Sequence, residues 1–321
     1  MQPDLAGVAP EYTQGSGRAW HCGSGRQSDG VSLRLEMLQV ARLAPMVLGA
    51  EAAGLIESFF RSCQGSDGGF RDRGGRSDLY YTVFGLDGLA ALQVPLPLEA
   101  VHRFLSSFGD AEALDFVHLC CLARLWGYFP AADRPSGLLE RMENWRTPDG
   151  GYHQRRGSAR TSAYGAMLAG AAHLDWQRRP PRSWKLAWSL RGLRTADGAW
   201  ANEAGMAEGS TTATAAAVTF YRHAHLTPPA ELGRWLLAQA HPDGGFKAFP
   251  RAPIPDLLST AVALHALDGL QVDFSGLKER MLDYVDSLWS AGGGFHGHWA
   301  DDELDVEYTY YGLLALGHLA L

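Results

Sequence analysis

The chain has 321 residues, with 28 Lys+Arg against 35 Asp+Glu for a formal net charge of −7, and 46% of its residues are hydrophobic. That is enough apolar matter for a sizeable core, and net acidity without a basic run longer than a dipeptide excludes a general nucleic-acid binder, which needs a basic surface to neutralise phosphates. No apolar stretch reaches the roughly 18 residues needed to span a bilayer.

Four cysteines, Cys22, Cys63, Cys120 and Cys121, are too few and too irregular for a disulfide scaffold, so a soluble protein of a reducing cytoplasm is expected. Glycine is the outlier: 38 residues, about 12%, where roughly 7% is ordinary.

Residues 1–30, including the GSGRQSDG stretch that begins at Gly23, carry neither an apolar signal core nor a periodic pattern and read as a flexible leader. The segment VSLRLEMLQVARLAPMVL (31–48) has helical spacing and is expected to begin a single domain over 31–321. From there a motif recurs: SDGGF (66–70), PDGGY (148–152), ADGAW (196–200), PDGGF (242–246) and GGGF (292–295). Its starts at Asp67, Asp149, Asp197, Asp243 and Gly292 are separated by 82, 48, 46 and 49 residues, so a degenerate unit is expected in the first gap, around FGDAEALDF (108–116).

Each motif follows a helical pattern with a charged face, such as ELGRWLLAQA (231–240), and precedes a second helix. The second helices open alike: DLYYTVFGLDGL (78–89), SARTSAYGAMLA (158–169), EGSTTATAAAVT (208–219), DLLSTAVALHAL (256–267) and DVEYTYYGLLAL (305–316). Asp, Glu or Ser at the first place and Thr or Ser four residues on suit an N-cap and first turn, because the side-chain oxygen accepts unpaired backbone N–H groups. These second helices are apolar on nearly every face and are expected inside, with the charged-faced ones outside. About six such hairpins close into a ring around a central cavity, with the Gly-Gly pair allowing the tight turn and the following aromatic stapling it.

The DGG-aromatic turn followed by D-x-x-x-T-x-x-x-L resembles the repeat of prenyltransferase β subunits and of squalene and terpene cyclases. That resemblance implies an all-α fold, the α/α toroid, and a cavity for an isoprenoid small molecule. In protein prenyltransferases a catalytic zinc is held by D-x-C and by the His of D-x-x-H-T. Here Asp256 matches the Asp, but Leu258 stands at the Cys and Tyr308 at the His, and leucine offers a metal nothing. Class II cyclases place D-x-D-D at the start of an inner helix, and its middle Asp is the proton donor. In that frame Asp305 matches the first Asp, Glu307 takes the acid's position, and Tyr308 replaces the last Asp.

The family's ligand positions imply that the second and third places after the capping residue face the cavity. Carried through the repeats, this gives Tyr80 and Tyr81, Arg160 and Thr161, Ser210 and Thr211, Leu258 and Ser259, Glu307 and Tyr308. The loops leading there carry Arg71, Arg73 and Arg76, then Arg155 and Arg156, then Lys247 and Arg251, cations suited to a diphosphate. Trp200 joins the tyrosines as a surface for the hydrocarbon. No cofactor is expected; zinc or magnesium has weak candidates in His296, His298, Asp301, Asp302 and Asp305, and in Asp115, His118, Cys120 and Cys121.

The expected function is an isoprenoid-processing enzyme, prenyltransferase- or cyclase-like, that binds a polyprenyl or polyprenyl diphosphate substrate without the usual zinc site. The alternatives are a non-catalytic lipid or prenyl-group binding module and a zinc prenyltransferase with rearranged ligands. Nothing in the chain says whether a partner subunit or a second copy completes it.

Overall fold

A computed structural model describes residues 32–321; the leader expected over residues 1–30, with Cys22, lies outside them. α1 (Leu33–Ala41) stands alone, and six helical pairs follow. They are α2 (Pro45–Ser62) with α3 (Leu79–Ala91), α4 (Leu98–Ser106) with α5 (Phe116–Trp126), and α6 (Leu138–Arg141) with α7 (Ala163–Asp175). Then come α8 (Ser183–Ser189) with α9 (Thr211–His223), α10 (Leu232–Leu237) with α11 (Leu257–Gly269), and α12 (Lys278–Ser287) with α13 (Val306–Ala320).

The second helix of every pair begins at a side chain that accepts a backbone N–H: Asp78, Asp115, Ser162, Ser210, Asp256 and Asp305. Such a cap supplies an acceptor to a helix end that has none, typically worth about 1 kcal/mol. The capped helices are the inner ring. Each packs on the next in chain order, and α13 packs on α3 to close it, which gives the expected α/α toroid. The degenerate unit is α4 with α5, joined by residues 107–115, which turn at Gly109 but lack the DGG-aromatic motif.

The glycine turns fold back so that the aromatic pairs with the residue six before it, as in Gln64 with Phe70, Arg194 with Trp200 and Ala240 with Phe246. In the first of these loops the pairing extends to a short antiparallel hairpin, β1 (Phe70–Arg71) with β2 (Ser77–Asp78). The threonine four residues after the cap then takes the aromatic's backbone N–H: Thr82 from Phe70 at 2.8 Å, Thr260 from Phe246 at 2.9 Å and Thr309 from Phe295 at 3.2 Å. The aromatics are at most 1% exposed, so the turn is locked to the helix it introduces. Trp200 is one of these staples. Its backbone N–H meets Thr214 and its indole N–H donates to the Leu190 carbonyl at 2.8 Å, so it packs behind the ring and not against the cavity as the sequence suggests.

The described part of the segment 31–48, residues 32–48, does not form one ring-starting helix. The chain turns at residues 42–44 and resumes at Pro45, whose missing N–H suits a first helical position, and α1 meets α2 at 89°. α1 packs on α3, α7 and α13 together, so it lies across the bore at the C-terminal ends of the inner helices. Among the described residues no single helix is long and apolar enough to cross a membrane.

Candidate functional site

Every glycine loop joins the end of an outer helix to the start of an inner one, so these loops and the inner N-caps share one rim while α1 closes the other end. Between them lies a cavity of about 430 Å³, inside the usual small-molecule range of roughly 300–1,000 Å³.

At the rim, Tyr80, Tyr164, Thr212 and Leu258 line the cavity, each two places after its cap. Glu307 holds the same place on α13 and is not itself among the lining residues but touches one of them, Tyr80. The Tyr80 hydroxyl donates to Glu307 Oε1 at 2.6 Å. Burial pushes the Glu307 carboxyl up to about 7, and the Asp305 charge adds to this against the opposing effects of the Tyr80 hydrogen bond and Arg73. Asp305 is occupied otherwise: it caps α13 through the Tyr308 N–H at 2.8 Å and accepts from Arg73 Nε at 2.6 Å. Tyr308 lies under the same guanidinium, 5.5 Å from ring centroid to Cζ, and burial pushes its phenol up to about 12. Tyr81, beside Tyr80, is half-buried and likewise pushed up to about 12 by burial and the Asp305 charge.

Below the rim the wall is aromatic. Phe84 packs 5.0 Å from Tyr80, 5.7 Å from Tyr310 and 5.4 Å from Tyr311, centroid to centroid, and all four line the cavity. Met37, Met167, Leu168 and Val262 complete an apolar surface. The floor is charged, with Arg34 from α1 beside Asp87 and Arg124.

The structure therefore gathers Tyr80, Tyr81, Glu307, Asp305, Tyr308 and Arg73 at one stretch of rim. Asp256 stands apart as the cap of α11, accepting from the Ser259 N–H at 2.7 Å, and burial raises its pKa. The other cations are not brought to a common anion site. Arg71 donates to the Ser62 carbonyl, Arg76 pairs with Asp72, Arg155 with Glu203 and Arg251 with Glu208. Arg156 stacks on Trp145 at 4.1 Å, Lys247 Nζ donates to the Pro250 carbonyl at 2.8 Å, and Arg160 is exposed to solvent. Arg73, Arg155 and Arg251 stitch neighbouring rim loops together.

Two repeats are also out of register with the sequence expectation. α7 is capped by Ser162 rather than Ser158, and α9 by Ser210 rather than Glu208. Tyr164 and Thr212, not Arg160 and Ser210, thus face the cavity.

The residues at the zinc positions do not fit zinc. Asp256 is committed to its cap, Leu258 presents hydrocarbon to the cavity, and the Tyr308 phenol stays protonated at neutral pH. Among the described residues no three His, Cys, Asp or Glu side chains are grouped to hold a metal. His118 spends both ring nitrogens on caps, Asp78 and Asp115, each at 2.9 Å, while Cys120 and Cys121 are buried with their thiols pushed up by desolvation. His296 Nδ1 faces the Glu303 carbonyl, and His298 Nδ1 accepts the Ala300 N–H.

This helical ring with a lined bore matches a known family. The model of the prenyltransferase alpha-alpha toroid domain covers residues 47–117 and 216–320, more than half of the chain. The chain belongs to that family. Among solved structures it is similar to the type II terpene cyclase MstE from Scytonema, with a TM-score of 0.57 and 12% identity over 88% of this chain and 98% of that one. It is also similar to Candida albicans protein geranylgeranyltransferase-I complexed with GGPP, with a TM-score of 0.56 and 15% identity over 83% and 90%. A point variant of MstE in complex with geranylgeranyl dihydroxybenzoate gives 0.55 and 13% over 90% and 98%. At such identities the likeness is one of fold. No curated protein sequence matches the chain significantly.

Proposed function

We propose that the chain is an isoprenoid-processing enzyme of the class II cyclase type, with Glu307 as the acid that protonates a polyprenyl alkene in the toroid cavity. The observation that carries this reading is the Glu307–Tyr80 pair. A carboxyl with a pKa of about 7 is substantially protonated near neutrality, and it is hydrogen-bonded to Tyr80, which lines the aromatic cavity. Tyr80 occupies Oε1, and Oε2, which has no hydrogen-bond partner among the described residues, is the oxygen to which this reading gives the transferred proton.

Protonation of the alkene leaves a tertiary carbocation, and the π faces of Tyr80, Phe84, Tyr310 and Tyr311 are the surfaces that stabilise positive charge along the chain. The proton balance closes when the final cation loses a C–H proton and the Glu307 carboxylate is reprotonated from solvent, so the net reaction is an isomerisation. The similar cyclase MstE was crystallised with a geranylgeranyl-bearing substrate and the similar transferase with GGPP, which supports a polyprenyl chain as the substrate here. Hydrocarbon at Leu258 disfavours the zinc-dependent thiol transfer of the transferase.

The test is to incubate the purified protein with geranyl, farnesyl and geranylgeranyl compounds and squalene, and to analyse the products by mass and NMR. Cyclic isomers formed by the unaltered chain and lost in Glu307→Gln support the reading. Cyclisation at an undiminished rate in Glu307→Gln removes it.

A further inference from the structure

The cavity floor holds donor capacity that proton transfer at the rim does not use. Arg34 lines the cavity and is 9% exposed, yet its Nε and Nη1 are buried with no hydrogen-bond acceptor among the described residues. Its guanidinium lies 4.1 Å above the Tyr128 ring, and its nearest carboxylate oxygen, on Asp175, is 3.7 Å from Nε, an ion-pair distance without a hydrogen bond. Buried polar groups are nearly always satisfied, so two unpaired donors on a side chain that lines a cavity mark the place where a ligand atom belongs.

The surrounding groups define what that atom is. Arg124 Nε donates to Asp175 at 3.3 Å and its Nη2 lies 3.6 Å from Asp87. The Tyr128 hydroxyl donates to Asp87 at 2.5 Å, and the Ser32 hydroxyl donates to Asp175. Two cations thus balance two carboxylates, and each carboxylate is already served. What is left over is hydrogen-bond donation from Arg34, not net positive charge. That suits one compact oxygen acceptor that is neutral or at most singly charged, whereas a diphosphate would set several negative charges beside Asp87 and Asp175.

We infer that the floor is a head-group subsite, in which Arg34 receives the oxygen of an isoprenoid alcohol or carboxylic acid that enters the toroid head first. This rests on the isoprenoid reading above and adds the substrate's polarity to it. From Leu258 at the rim to His265 at the floor, one face of α11 lines the cavity, a rise of about 10 Å at 1.5 Å per residue. A head seated on Arg34 therefore leaves the far end of the chain at the level of Glu307, where the distal alkene meets the acid.

Equilibrium dialysis of the full chain against farnesol, farnesoic acid, farnesene and farnesyl diphosphate tests this. The alcohol and the acid are expected to bind about tenfold or more tightly than the hydrocarbon, with the diphosphate weaker than the acid. Arg34→Met is expected to weaken only the alcohol and the acid, by about tenfold to a hundredfold, and to leave farnesene unchanged. Farnesene binding as tightly as the acid, the diphosphate binding most tightly, no binding of any of the four, or acid affinity undiminished in Arg34→Met would each overturn the inference. The ligand series on the unaltered chain decides the matter even if Arg34→Met does not fold. Head-group discrimination without any cyclic product removes the acid role of Glu307 and leaves the subsite standing.

Discussion

The Tyr80 hydroxyl reaches across the ring closure to Glu307 Oε1 at 2.6 Å, so the first and last inner helices meet at the acid. This hydrogen bond favours the charged carboxylate, against the burial that favours the neutral acid. Two variants therefore separate. Glu307→Gln is expected to cost cyclisation about 10²–10⁴-fold, the ordinary worth of a general acid. Tyr80→Phe removes a stabiliser of the anion, so the alkaline limb of the kcat/KM profile should move upward from about 7. A limb that stays in place or moves down contradicts the role given to Tyr80.

The same carboxyl makes stability depend on pH. Its folded pKa of about 7 lies above its ordinary 4.5, so between those values the folded chain holds more proton than the unfolded one. Stability contributed by the neutral acid is present below about pH 4.5 and declines as pH rises to about 7, by on the order of 3 kcal/mol from a shift of this size. Glu307→Gln abolishes the decline. Thermal unfolding should show the variant melting several degrees above the unaltered chain at pH 8, with the gap closing towards pH 4.5. Parallel melting curves across that range would contradict the buried-acid assignment.

How far the site is legible in the sequence follows from which interactions are local. Caps and glycine turns are local chemistry, so the pattern puts Asp78, Asp256 and Asp305 at their helix starts and with them Tyr80, Leu258 and Glu307. Where two acceptors lie close together the pattern cannot choose. Ser158 and Glu208 offer the same kind of oxygen as Ser162 and Ser210, and the slip hides Tyr164 and Thr212. Asp87 and Arg124 do carry a signal, as charges within helices apolar on nearly every face, since a buried charge needs a partner. The place of α1 carries none: its periodicity is the same in the wall of a ring or across the bore, and only contacts with α3, α7 and α13 decide.

The glycine turns make a graded prediction. Gly244 has φ +96°, and a Cβ there would lie 2.1 Å from the Arg280 carbonyl oxygen, whereas Gly205 has φ +84° with nothing within 4 Å. Gly205→Ala carries the conformational cost alone, about 1 kcal/mol. Gly244→Ala adds a backbone collision and is expected to cost about 3 kcal/mol or more. Denaturant unfolding of the two variants measures the difference, and equal losses would mean that the close approach of the turn to α12 is not rigid.

His118 ties the starts of two inner helices, with Nε2 on Asp78 and Nδ1 on Asp115. The Asp78 hydrogen bond is the largest influence on the imidazole, which with Asp115 is held up to about 9 against the burial that lowers it. A raised folded pKa means that the tie is at full strength below about pH 6.5 and is lost as pH rises through 9. His118→Asn removes it at every pH. The unaltered chain should melt above the variant at pH 6, and the two should converge by about pH 9.5. Because Asp78 also accepts the Tyr80 N–H at 2.7 Å, loosening it frees the first turn of α3, which holds Tyr80 against Glu307. His118→Asn should accordingly lower kcat more than it raises KM. A variant whose melting follows the unaltered chain from pH 6 to 9.5, with kcat unchanged, would show that the two caps hold without the histidine.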